Sequence, residues 1–138
     1  MTKSPTVLVA SDDAFELATL SAALRMQSIN VVAEAHTEEI AQNLYKFLSP
    51  EVVLIDLQFA GEEALDLVNK FRKVNPLLGI VLMTACPDLR LLGLVEKQIP
   101  TGSQVILKKS VADLSVVSHA IQIVMFSVLL NNLPLLNN

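Results

Sequence analysis

The sequence predicts an α/β fold: a βα unit repeated five times, forming a doubly wound five-stranded parallel sheet with helices on both faces. Three observations predict it. The run Val52-Val53-Leu54-Ile55 is unbroken apolar sequence ending on Asp56, the pattern of a central strand covered on both faces. Short apolar runs alternate along the chain with longer stretches of helical spacing, the rhythm of a parallel sheet. The composition is 52% apolar, 4% aromatic and without Trp, so the core must be Leu, Val, Ile and Ala, as helix-on-sheet packing prefers. Right-handed crossovers leave a doubly wound sandwich as the economical topology.

The elements follow in order. Strands are predicted at Val7–Ala10, Val31–Glu34, Val52–Asp56, Gly79–Thr84 and Gln104–Lys108. The first helix carries Leu17, Leu20 and Leu24 at helical spacing. In the second, Ile40, Leu44, Phe47 and Leu48 recur on one face, and Glu38 and Glu39 occupy the first turn, where the helix dipole favours acids. In the third, Leu65, Val68 and Phe71 repeat, and Pro76 marks the stop. The fourth, from Asp88 to about Lys97, begins after Pro87 and is interrupted by Gly93. Pro100, Thr101 and Gly102 form the loop into the last strand. From Val116 to Leu130 the chain is mostly apolar, but a membrane span needs about 20 such residues, and His119 and Gln122 interrupt this one. The stretch reads as an amphipathic last helix whose end loses its polar face because it meets a partner.

At 138 residues the chain suffices for one domain, over residues 1–130, with a polar tail at 131–138 that reads as the start of a linker. A net charge of −4 argues against a nucleic-acid surface in this segment. A single cysteine, Cys86, excludes an intrachain disulfide framework and fits a reducing cytoplasm. The first residues lack the apolar stretch of a signal peptide. His36 and His119 have no metal-ligand partners at useful spacing, a lone Cys86 reads as packing, Tyr45 as core-edge packing beside the second helix's stripe, and Met83 as a strand residue in the sheet interior.

All five strand ends point to one edge, where open α/β sheets keep their ligand crevices. That edge receives Asp12 and Asp13 from the first strand, Asp56 from the third, Thr84 from the fourth and Lys108 from the fifth. Acidic strand ends can meet only if something positive, usually a metal ion, relieves their repulsion. Taken singly, each acid would read as a helix cap or turn residue. Acid, acid, hydroxyl and ammonium on one rim are more specific than any one of them.

In VLVASDD, VVLIDL, VLMTA and VILKK, in this order and spacing, the sequence resembles the receiver domain of bacterial response regulators. The resemblance covers Thr6 to Ser127. VVAEA, and KKS before an apolar helix, are most similar to receivers of regulators carrying a C-terminal helix-turn-helix. It implies a flavodoxin-like fold and a phosphoacceptor, Asp56, that takes a phosphoryl group from a sensor histidine kinase. It further implies Mg²⁺ held by Asp12 or Asp13, Asp56, the backbone carbonyl of Gln58 and waters. Thr84 and Lys108 would bind the phosphoryl group, and the change would be relayed through the face of helix four, strand five and helix five. A homodimer through helices four and five, a cytoplasmic location and an output domain outside this chain follow from the same resemblance. No turnover of an external substrate is expected.

The departures from the family are equally specific. Aligned without a gap, Ser11 falls on the first acidic position after strand one and Asp12 on the second. Ala60 and Ala64 stand where a proline and a glycine are common, although Gly61 is retained. Val105 replaces the switch aromatic three residues before the lysine, and Lys109 replaces a proline. These departures motivate the alternative of a phosphorylation-independent pseudo-receiver acting as a dimerisation module. An enzyme on this fold is disfavoured. SDDAFE is acidic where a flavin-phosphate loop needs Ser, Thr and Gly, and Gln58 stands where a haloacid-dehalogenase-type phosphatase needs its second acid.

Overall fold

A computed structural model describes residues 4–59, 64–86, 88 and 99–131. The elements run β1 (Thr6–Ala10), α1 (Ala14–Met26), β2 (Asn30–Ala35), α2 (Glu38–Leu48), β3 (Val52–Asp56), α3 (Ala64–Val74), β4 (Gly79–Thr84), β5 (Gln104–Leu107), a 3-10 helix (Lys108–Ala112) and α4 (Leu114–Asn131). Every strand pairing is parallel, in the order β2-β1-β3-β4-β5. The order reverses between β1 and β3, which makes their C-terminal ends the switch point of the doubly wound sheet. The expected helix from Asp88 to about Lys97, the substitution at Ala60, and the tail beyond Asn131 lie outside the described residues.

The sheet separates two cores, as the period-2 alternation of its strands requires. Leu8, Ala10, Val53, Ile55, Ile80 and Leu82 face α2 and α3, where Tyr45 stacks on Phe71 with ring centroids 4.0 Å apart. Val7, Val9, Val52, Leu54, Val81 and Met83 face α1 and α4. On α1 the buried stripe is Leu17, Leu20 and Leu24, as the spacing predicted, with Ser21 beside it. On α4 it is Val117, Ala120, Ile121 and Val124. His119 and Gln122 are exposed. A side chain on Gly79 would meet Val124 at 2.9 Å, so the bare backbone of β4 lets α4 lie close on the sheet.

Two sequence expectations are corrected. Phe47 and Leu48 do not share the buried face of α2. Phe47 is 86% exposed, and the helix buries Ala41 and Tyr45, flanked by Ile40 and Leu44. The ring of Tyr45 finds a stacking partner in α3, whereas Phe47 lies beyond the sheet's reach. The last strand also stops one residue early: Lys108 opens a 3-10 turn instead of ending β5. That turn lifts its backbone out of the ladder while its side chain stays at the rim.

Candidate functional site

The site forms where β1, β3 and β5 end. In β3, Asp56 continues the alternation of Val52 and Leu54 and so belongs to the α1/α4 side of the sheet. Ser11 continues Val7 and Val9 toward the same side, directly beyond the pairing of Ala10 with Ile55. Lys108 follows Ile106, which is packed in that same core. Three distant segments are thus brought together by register alone.

Asp56 is 2% exposed, a burial that a carboxylate tolerates only when paired. Its Oδ1 accepts the Gln58 backbone N–H at 2.9 Å, and its Oδ2 is in direct contact with the Lys108 ammonium. Burial alone would lower the Lys108 pKa. The hydrogen bond and charge of Asp56, helped by Glu16, outweigh burial and hold it above the ordinary 10.5. Lys108 therefore stays charged at neutral pH.

Ser11, Asp12 and Asp13 have three different fates. Ser11 is completely buried. Asp12 is exposed at the rim. Asp13 is the N-cap of α1, its Oδ1 accepting from the N–H groups of Phe15 at 3.0 Å and Glu16 at 3.1 Å. Thr84, 3% exposed, closes a tight turn: its hydroxyl accepts from Cys86 N–H at 3.1 Å and lies 3.2 Å from the Cys86 carbonyl, to which it donates. Cys86 itself donates its thiol to the Asp88 carbonyl at 3.1 Å, a packing role. Val105 is 38% exposed on β5.

One participant was missed by sequence reasoning. Glu16, in the first turn of α1, lies with its Oε1 3.3 Å and Oε2 3.4 Å from Lys108 Nζ. Its Oε1 also accepts the Ser11 hydroxyl at 3.2 Å. Locally, Glu16 reads only as an acid favoured by the helix dipole. The one sequence signal was its place beside Leu17, next to the face that packs on the sheet.

The resemblance to receiver domains implies Mg²⁺ at this rim, and the oxygen donors here fit such an ion in part. Among the described residues no group of three His, Cys, Asp or Glu side chains is arranged to hold a metal ion. Asp13 is committed to its cap and Glu16 to Lys108. Asp12 and the Gln58 carbonyl are the other oxygen donors, beside Asp56, which is itself paired with Lys108. Magnesium is commonly held by one or two carboxylates and keeps several waters.

Known proteins resemble the chain over this same region. The sequence profile of the response regulator receiver domain matches residues 7–122. A cyclic di-GMP phosphodiesterase from Thermotoga maritima is 29% identical over 106 residues, 77% of this chain but 27% of that protein. The chain thus spans about a quarter of the length of that curated relative. Among solved structures, the receiver domain of PhyR from Erythrobacter litoralis is 26% identical, with a TM-score of 0.71 over 89% of this chain and 91% of that one. The isolated receiver domain of RcsB from Salmonella enterica serovar Typhimurium, determined with the phosphomimetic BeF3⁻, is 23% identical, with a TM-score of 0.69 over 86% of this chain and 88% of that one. A CheY-like receiver from Methanospirillum hungatei shares the fold at 17% identity, with a TM-score of 0.71 over 90% of this chain and 98% of that one.

Proposed function

The chain belongs to the response regulator receiver domain family, and on that premise we propose that it accepts a phosphoryl group on Asp56. The observation carrying this reading is the buried Asp56–Lys108 pair at the sheet's switch point. A carboxylate so placed has an ammonium already beside it, where charge on a transferring phosphoryl group would need to be offset.

A carboxylate oxygen of Asp56 attacks the phosphorus of a phosphohistidine or a small phosphodonor such as acetyl phosphate. A P–O bond forms to Asp56 as the donor's bond to phosphorus breaks, and the leaving group departs with its electron pair. Lys108 turns its ammonium toward the phosphoryl oxygens. Asp12, Asp56 and the Gln58 carbonyl are the residues that would hold Mg²⁺, which supplies positive charge to the phosphoryl oxygens when bound. Ser11 supplies no charge where the family has an acid, so we expect weakened magnesium affinity.

Thr84 can exchange its hydrogen bond to the Cys86 carbonyl for one to a phosphoryl oxygen, which would release the turn after β4. With Val105 in place of an aromatic, the change would pass through this turn rather than through a rotating ring. The output is a relay to the β5 and α4 side of the sheet, with a sensor histidine kinase upstream and a dimer or an attached output domain downstream.

Intact mass after incubation with acetyl phosphate and Mg²⁺, beside Asp56→Asn, tests the acceptor. The expected result is one phosphate adduct on the wild type and none on the variant. Equal uptake by Asp56→Asn, or no uptake by a folded wild type in excess magnesium, would overturn the assignment.

A further inference from the structure

Glu16 stands at the third position of α1, counting from its N-cap Asp13. An acid there usually reaches back to the backbone N–H of the capping residue and completes a capping box. In this chain the Asp13 N–H is instead donated to the Ser11 hydroxyl oxygen at 3.3 Å. The Ser11 hydroxyl in turn donates to Glu16 Oε1 at 3.2 Å. Ser11 thus takes over the local duty of Glu16 and aims its carboxylate at Lys108, which lies 92 residues away in sequence. The outcome is a linear array in which one ammonium is shared by two carboxylates, buried Asp56 and part-exposed Glu16.

We propose that Glu16 is a positioning residue that holds Lys108 in competition with the phosphoryl group, and so biases the site toward its unphosphorylated state. The inference rests on the acceptor reading of Asp56. Two physical effects give it a sign. An ammonium that must turn toward phosphoryl oxygens gives up part of its hold on Glu16, and a contact stronger in one state favours that state by the difference. The Glu16 carboxylate also stands one ammonium away from Asp56 and repels the negative charge arriving there. Both effects oppose phosphorylation. A carboxylate that served the site as an extra cation ligand would have the opposite sign.

Glu16→Gln separates the two, because it removes the charge, keeps the size and still accepts from Ser11. The contact is part-exposed, so the expected gain is modest. We expect roughly two- to fivefold tighter half-saturation by beryllofluoride with Mg²⁺, and a matching rise in the phosphorylated fraction at limiting acetyl phosphate. Glu16→Asp, with its carboxylate retained one methylene short, should respond less than Glu16→Gln. In a Lys108→Met background the gain should shrink, which a merely structural role of Glu16 would not cause. Unchanged or weaker saturation in a folded Glu16→Gln protein would overturn the proposal.

A readout independent of phosphate is the ¹⁵N side-chain resonance of the Lys108 ammonium, assigned by its loss in Lys108→Arg. A shift of that line in Glu16→Gln supports the tether, and an unmoved line overturns it. If the wild type takes neither phosphate nor beryllofluoride, the acceptor reading fails and this resonance alone decides whether Glu16 holds Lys108.

Discussion

At the end of β3, Asp56 is 2% exposed, with Lys108 against one oxygen and the Gln58 N–H against the other. At the end of β1, on the same rim, Asp12 is exposed and Asp13 gives its carboxylate to the N-terminus of α1. The residue type is the same, but Ala10 pairs with Ile55, so the position level with Asp56 on the β1 side belongs to Ser11. The difference lies in what each strand end faces. Asp56 is still within β3, between β1 and β4, so its side chain is enclosed and must be paired. Asp12 and Asp13 stand one and two residues past the buried Ser11, already in the loop that turns into α1, where water and free helix N–H groups are available. An acidic strand end therefore becomes a site when it is enclosed beside a counter-charge, and a cap when it is not.

The contrast can be broken first by charge removal on the β1 side. On the proposed reading of Asp12 as a magnesium ligand, Asp12→Asn should cut magnesium-dependent phosphate uptake roughly tenfold or more. Asp13→Asn, which still caps α1, should leave uptake within about twofold. Equal losses in the two variants, measured as initial rates of adduct formation, would erase the distinction between ligand and cap.

At the buried pair the expected effect is on stability. Lys108→Met leaves the Asp56 carboxylate enclosed with only the Gln58 N–H, which should cost about 2 kcal/mol in denaturant unfolding. The pH dependence has a definite sign. The folded pKa of Lys108 lies above the ordinary 10.5, so the stability it contributes is fully present below 10.5 and is lost as pH rises through the folded value. On the alkaline side, wild type and Lys108→Met should therefore converge in stability only in strong alkali. A gap that closed near neutral pH would assign the stabilisation to another group.

The smallest effect belongs to the cap itself. Asp13→Ala should cost about 1 kcal/mol by unfolding, while Asp13→Ser should restore most of it. If Asp13→Ala were neutral, the first turn of α1 would be held by its packing on the sheet, and the cap would be incidental.

Much of this is legible in the sequence. Val52–Ile55 read as a strand buried on both faces, and Leu17, Leu20 and Leu24 as the inner stripe of a helix, because strand and helix periods fix which residues share a face. Lys108 and Asp56 were legible as rim residues for the same reason. Less legible were positions where several contacts are locally equivalent. Phe47 had the right spacing for burial on α2, but Tyr45 took the place because Phe71 on α3 offers a ring to stack on. Asp12 and Asp13 were alike in the sequence because either could follow β1; the N–H groups of Phe15 and Glu16 take Asp13 as the cap of α1.

The sequence by itself determined the parallel sheet, the rim on which its chemistry gathers, and the presence there of an acid, a hydroxyl and an ammonium. Periodicity is local and is written residue by residue. The tertiary structure alone decided that Ser11 replaces Glu16 at the cap of α1, and that Glu16 shares Lys108 with Asp56. Those contacts join β1, α1, β3 and the turn after β5, and no local pattern records them. Their partners are chosen by which side chains the closed sheet leaves within about 3 Å of one another.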